Sequence, residues 1–220
     1  MLYVVSTPIG NLKDITLRAL EVLNAVDLIA CEDTRRAKTL TRHYEISTPL
    51  TSYFEHNKIK KGEYLLRLLR EGKDIALISD AGTPGISDPG YRIIRLARDN
   101  DIEVTAIPGP CALVDALALV GCPGEGFVFL GFLPPKRAAR IKRLAEFKQR
   151  RQTVVFYESP HRLPRALEDI REVLGDVELV CVREATKKFE ETRRAKASRL
   201  IASFADHRPR GEFVIIVPHY

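Results

Sequence analysis

The four cysteines of this 220-residue chain stand far apart, at positions 31, 111, 122 and 181, and no two form a Cys-x-x-Cys pair. That scarcity argues against a disulfide framework or a thiolate metal site and suits reduced thiols in the cytoplasm. The five histidines have no metal-ligand spacing. No Gly-x-Gly-x-x-Gly follows the first apolar run, and neither Gly-x-x-x-x-Gly-Lys-Ser/Thr nor Gly-x-Ser-x-Gly occurs. Dinucleotide oxidoreductases, P-loop nucleotidases and serine hydrolases therefore lose ground. No stretch approaches the roughly 18 apolar residues of a membrane span. The start, Leu2-Tyr3-Val4-Val5, has no basic lead and no small-residue cleavage site, so no secretory leader is expected.

What is present is an ordinary 45% of apolar residues and a net charge of +6. The charge is unevenly placed. Residues 1–110 hold 15 Lys/Arg and 15 Asp/Glu, whereas residues 111–220 hold 20 against 14. One half is neutral and the other suits a polyanion. Strand and helix patterns alternate through the first half. Strands are predicted at Leu2–Ser6, Leu28–Cys31, Thr48–Tyr53, Ile75–Ser79 and Val104–Ile107, with helices from Asp14, over Arg35–Tyr44, Lys58–Glu71 and Tyr91–Asn100. Single helices between strands imply crossovers and a parallel, doubly wound sheet. An apolar helix over Cys111–Val120 and a glycine-rich stretch to Gly126 mark a junction. Beyond it, strands are predicted at Phe127–Gly131, Thr153–Tyr157, Leu179–Arg183, Glu190–Ala195 and Phe213–Val217, and helices at Lys136–Arg151, Leu163–Leu174 and Ser198–Phe204. One connection is short enough for a hairpin, so this sheet is expected to be mixed. The domain reading is 1–110, a junction over 111–126, and 127–220.

The densest signal lies after the fourth strand, where residues 80–90 contain three glycines and two prolines. A shaped loop at the carboxyl end of a parallel strand is where α/β sheets bind ligands. Asp88 before Pro89 reads as a helix cap, whereas Asp80, directly off the strand, points to a ligand contact. Three further strand-end loops join it on the same edge: Thr7–Leu12, Glu32–Arg36 and Pro108-Gly109-Pro110. In Glu32–Arg36 two readings stand side by side. Thr34 caps the next helix with its arginines in solvent, or those arginines, opposed to the helix dipole, meet a partner.

In the second half, Lys136–Arg151 sets eight basic residues against the single acid Glu146, with Ile141, Leu144 and Phe147 as a narrow docking stripe. The reading favoured over a merely solvated face is contact with a nucleic-acid backbone. Phe156–Leu163 and Arg183–Glu190 bring ionisable residues to two strand ends. Either is a candidate chemical site, although Ser159 also suits a helix cap.

Taken in order, Ser6–Leu12, Glu32–Arg35, Ser79–Gly90, Ala106–Pro110, Phe156–Arg162 and Arg183–Lys187 resemble the bacterial ribosomal RNA small-subunit methyltransferase I family of the tetrapyrrole-methylase (class III) superfamily. The resemblance implies two α/β domains with S-adenosylmethionine bound between them, a homodimer, and 2′-O-methylation of a cytidine in the decoding region of small-subunit ribosomal RNA. Thr7–Leu12 replaces the glycine-rich loop of the tetrapyrrole members, which favours the RNA branch. Many relatives continue past the position of Tyr220, so any RNA affinity from such a segment is set aside. On this footing the cofactor loops comprise Pro8, Gly10, Asp80, Ala81, Gly82, Pro108, Gly109 and Ala112. RNA contacts are expected from Arg35, Arg36, Lys142, Arg143, Arg150, Arg151, Arg162 and Lys188. Glu158 is the candidate general base, with Lys187 or Arg162 holding the RNA. The opposing reading for Glu158 is an ion pair with Arg162 that braces the Ser159-Pro160 turn. A methylase of a small tetrapyrrole and a catalytically silent RNA-binding protein are the alternatives. The former would ignore RNA, and the latter would bind no methyl donor.

Overall fold

The structure, a computed structural model, describes residues 1–88, 90–121, 126–148, 152–206 and 208–219. The chain forms two compact units, Met1–Cys111 and Ala112–Tyr220. In the first, β1 (Leu2–Val5), β2 (Leu28–Cys31), β3 (Leu50–Ser52), β4 (Ile75–Ile78) and β5 (Val104–Ile107) form a parallel sheet in the order β3-β2-β4-β1-β5. Strand side chains alternate between its faces. Val5, Ile29, Cys31, Ala76 and Ile78 pack with Ala19 and Leu23 of α1 (Leu17–Ala25) and Ala37 and Leu40 of α2 (Thr34–His43). Leu2, Ala30, Ile75 and Leu77 pack with Leu65 and Leu69 of α3 (Lys58–Arg70) and Ile93 and Ala97 of α4 (Gly90–Arg98). The crossovers from β1 and β4, which are neighbours, run in opposite directions across the sheet. That reversal opens a crevice at their carboxyl ends.

The second unit has a mixed sheet ordered β6-β7-β10-β8-β9, from β6 (Phe127–Phe132), β7 (Thr153–Glu158), β8 (Glu178–Arg183), β9 (Glu191–Lys196) and β10 (Phe213–Val217). Only β6 and β7 pair in parallel, and β8 and β9 form the expected hairpin. One sheet face, with Phe156, Cys181 and Ile215, packs against α6 (Arg137–Ala145), α7 (Leu163–Leu174) and α8 (Ala197–Asp206). The expected junction helix, α5 (Ala112–Val120), belongs to this unit, and its Leu113 N–H donates to the Tyr157 hydroxyl at 3.2 Å.

Three local expectations are corrected. The helix expected from Asp14 is a 3-10 turn over Leu12–Asp14, and α1 begins only after Thr16, whose hydroxyl accepts the Ala19 N–H. Asp33 caps α2 in place of Thr34, its carboxylate accepting the Arg35 N–H at 2.8 Å. The basic helix stops at Ala145 rather than Arg151. Phe147 N–H turns back to Leu144 O, which brings the ring into the core.

Candidate functional site

The crevice of the first unit is stitched by its own backbone. Thr7 N–H donates to Gly82 O and Gly82 N–H to Thr7 O, both at 3.0 Å, an isolated antiparallel bridge between the loops after β1 and β4. Ser6 and Thr83 share a hydroxyl hydrogen bond at 2.8 Å, and the Ser79 hydroxyl donates to Ala81 O and Gly82 O. Gly82 has φ +79°, a left-handed conformation that suits glycine. A Cβ on Gly109, after β5, would lie 2.9 Å from Ser6 Cβ, so that loop also lies close against β1.

Asp80 is the hinge of this edge. Its Oδ1 accepts the Asp33 N–H at 3.0 Å and its Oδ2 pairs with Arg36 at 3.2 Å, tying the loop after β4 to the start of α2. A cavity of about 250 Å³ opens here, lined among others by Thr7, Pro8, Cys31, Arg36, Ser79 and Asp80. The arginines at the start of α2 therefore have partners, Asp80 for Arg36 and Asp33 for Arg35. Asp88 plays the expected organising part, its Oδ1 accepting N–H groups from Gly85 and from Gly90 at the head of α4. Pro89 lies outside the described residues. Negative charge accumulates on this edge. Burial pushes the Glu32 carboxyl above its ordinary value, and Asp80, Asp88 and Asp33 push the same way against Arg36. Cys31 is buried, its thiol pushed up to about 12 chiefly by burial, so it is no nucleophile.

Of the other expected cofactor residues, Ala81, Pro108, Gly109 and Gly10 are exposed near the same strand ends, and Ala112 opens α5 in the second unit. Thr7, Ser79 and Ser6 lie within the strand-end segments but are not among the expected site residues. Small hydroxyl residues beside a strand end carry no signal until the strands are paired.

In the second unit the two ionisable motifs lie along one sheet edge, since Phe213 of β10 pairs with both Glu158 and Arg183. Glu158 is buried. Its Oε1 accepts the Ser159 N–H at 2.8 Å and lies 3.2 Å from Arg162 Nε, while Arg162 also donates to Leu133 O. The geometry shows an ion pair that braces the turn, and the Glu158 carboxylate is closed to solvent. Burial raises its carboxyl above the ordinary glutamate range, against the pull of Ser159 N–H and of Arg162 and Arg140. A raised carboxyl pKa means that wild-type stability falls as pH climbs from the ordinary value of 4.5 through the raised one. Glu158→Gln is expected to reduce that fall in denaturation measured across pH, with single-turnover rate per folded molecule within about twofold of wild type. A tenfold slower rate at unchanged melting temperature would instead make it the general base.

Lys187 Nζ lies 3.0 Å from both Glu184 and Glu212. Burial works to lower its pKa, but the two carboxylates win and raise it, so it is a fixed cation at neutral pH. Glu184 and Thr186 both have positive φ, at 51° and 65°, so the backbone of this motif is strained around that cation. Lys188 packs on the exposed Phe189 ring. The basic helix is less open than its composition suggests. Arg140 is buried against Asp169, Arg137 reaches Asp169 and Glu172, and Arg143 pairs with Glu146. Lys142 stays exposed, while Arg150 and Arg151 lie outside the described residues. Among the described residues no acidic, histidine or cysteine cluster could hold a metal ion, and no helix is long and apolar enough to cross a membrane.

Residues 1–201 match the family of tetrapyrrole (corrin/porphyrin) methylases. The chain is 47% identical to the ribosomal RNA small subunit methyltransferase I of Vibrio cholerae, over 100% of this chain and 77% of that protein. It is 46% identical to the enzyme of the same name from Thermotoga maritima, over 98% and 97%. Among solved structures, cobalt precorrin-4 methyltransferase aligns with TM-score 0.73 at 15% identity, covering 98% of this chain and 93% of that one. Diphthine synthase aligns with TM-score 0.74 at 13% identity, covering 99% and 88%. At those identities the structures establish a shared fold.

Proposed function

Because this chain belongs to the tetrapyrrole methylases, and within them to the ribosomal RNA small-subunit methyltransferase I family, we propose that it methylates a cytidine 2′-hydroxyl in small-subunit ribosomal RNA, with S-adenosylmethionine as donor. The observation that carries this reading is identity of 46–48% over nearly the whole chain with relatives of that name. The crevice supports the choice of donor. Its carboxylates, with the Glu32 pKa raised by burial and then by Asp80 and Asp88, favour a ligand that brings positive charge, and S-adenosylmethionine carries a sulfonium and an ammonium. Pro8, Asp80 and the backbone of Ala81 and Gly82 would hold it, with Pro108 and Gly109 shaping the adjoining edge.

When bound, the donor supplies an electrophilic methyl group. The chain's own task is to bring the ribose oxygen into line and to exclude water, worth several kcal/mol when reacting atoms are held about 3–3.5 Å apart. In this reading Lys187, kept cationic by Glu184 and Glu212, and Lys188 meet phosphate oxygens. Lys142, Arg143, Arg150 and Arg151 extend the track, and Arg162 acts by fixing the Leu133 turn rather than by touching RNA. The same reading takes the small ribosomal subunit as partner and pairs two protomers. Transfer of tritium from methyl-labelled S-adenosylmethionine to small subunits, followed by nucleoside mapping, tests it. Label on cytidine ribose is the expected result. Label on a base, or none on RNA, removes the proposal.

A further inference from the structure

A second cleft lies on the first unit, beside the cofactor loop but on its outer side. Pro84 and Ile86 of the loop after β4 form one wall, and Tyr91, Ile94, Arg95 and Arg98 of α4, with Asp99 just beyond it, form the other, around about 400 Å³. Tyr91 and Ile86 are 57% and 42% exposed, side by side at the cleft mouth. Residues Gly90–Arg98 carry three arginines and no acid, and the adjacent α3 carries five Lys/Arg against the single Glu63. The unit as a whole is charge-balanced, so this face concentrates cations that the rest of the unit offsets. Arg98 makes no ion pair among the described residues, and Arg95 has only an exposed partner, Asp99, at 3.4 Å, a pair of little worth in water.

The cleft is also held in shape. Asp88 clamps the N–H groups of Gly85 and Gly90 at 2.6 and 2.8 Å, and a Cβ on Gly85 would touch Ile94 at 3.5 Å. Its loop is the one whose Gly82 is bridged to Thr7, so a short stretch of pinned backbone joins cofactor edge and cleft. An aromatic face, an aliphatic wall and two guanidinium groups at one opening match a stacked nucleobase with flanking phosphates. A protein partner would be served by the apolar walls, but the excess of cations, three arginines of α4 against the single Asp99 at the cleft, favours an anionic ligand.

We propose that the Tyr91–Ile86 cleft binds an unpaired nucleobase of the RNA substrate, stacked on Tyr91, with Arg95 and Arg98 on its phosphates. The inference rests on the RNA-methylating reading above, and it makes the first unit a second RNA-binding surface besides the basic second unit. The test uses the full chain with deproteinised small-subunit ribosomal RNA and with a decamer of oligocytidylate. Tyr91→Ala should weaken both by about tenfold or more, and Tyr91→Phe should leave both within about twofold of wild type. The double substitution Arg95→Ala/Arg98→Ala should flatten the salt dependence of RNA binding by about 0.7–0.9 in log–log slope for each phosphate left without its arginine. S-adenosylmethionine affinity, the melting temperature and kcat should hold, with KM for RNA raised. Equal RNA affinity in Tyr91→Ala and wild type overturns the cleft, as does a halved mass by light scattering in that variant, which would make the face a self-association surface. Tyr91-dependent binding without methyl transfer by wild type would keep the cleft and remove the methyltransferase reading. Absence of RNA binding by wild type overturns both.

Discussion

Gly82→Val is expected to weaken S-adenosylmethionine binding at least a hundredfold in calorimetric titration while the protein remains folded. The left-handed φ of +79° costs an L-residue about 1–2 kcal/mol, and a β-branched side chain is a genuine outlier there. The new side chain would also grow from a Cβ 3.4 Å from Ile9 and 3.7 Å from the Pro110 carbonyl, between the loops after β1 and β5. The strain is relieved only by moving the loop after β4. That movement breaks the two 3.0 Å bonds to Thr7 and displaces the neighbouring Pro8 and Asp80. A hundredfold loss corresponds to about 2.7 kcal/mol, within reach of strain plus two broken backbone bonds. Gly72→Val supplies the control. Gly72 has φ +85° with nothing within 4 Å, so it bears the same backbone penalty away from the crevice and should bind the cofactor normally. Wild-type affinity in folded Gly82→Val would move the cofactor elsewhere.

The strands that build this crevice are legible in the sequence because their burial is two-sided. Ile75–Ile78, buried at every position, reads as a continuous apolar run, and runs separated by single helices leave little choice but a parallel sheet. Loops at the carboxyl ends then have to converge, which is why Asp80 stands out. The details that differ depend on tertiary competition. Asp33 and Thr34 are both good caps, and Asp33 takes the position with a carboxylate held by both the side chain and the backbone N–H of Arg35. The basic run looks like one long cationic helix because composition cannot tell which arginines turn inward. Arg140 is buried and Lys142 is exposed two residues later, a difference set by Asp169 on α7. The burial of Glu158 is illegible for a related reason. A carboxylate at a strand end suggests chemistry, whereas its burial follows from the pairing of β7 with β10, invisible in a linear motif. The reaction itself is legible only through family resemblance, since nothing in the spacing of residues distinguishes a methyl donor from another cationic ligand.

Asp169→Ala is expected to cost about 3–5 kcal/mol of folding stability, measured by chemical denaturation, because it strands a buried guanidinium. The side chains of Arg140 and Asp169 are 5% and 3% exposed. One oxygen of Asp169 takes Arg140 Nε and Nη2 at 2.6 Å each, while its other oxygen takes Arg137 Nε at 3.0 Å. Arg140 spends its remaining Nη1 on Pro134 O and Pro135 O, 3.2 Å each. Without Asp169 that cation has two carbonyl partners and no paired carboxylate, only the charge of Glu158 acting without contact, in a site closed to water. Arg137 is 62% exposed, so Arg137→Ala should cost under about 1 kcal/mol despite sharing the same carboxylate. If the loss in Asp169→Ala comes from the stranded charge, then the paired replacement Arg140→Met/Asp169→Leu should recover most of it, since apolar substitutes of similar volume are often neutral. What the apolar pair cannot restore is the grip on Pro134 and Pro135, between β6 and α6, at the same turn whose Leu133 carbonyl is held by Arg162. The ion pair is therefore better understood as setting the path of that turn than as strengthening the core. A paired replacement as unstable as Asp169→Ala would show instead that packing volume, not charge, determines the loss.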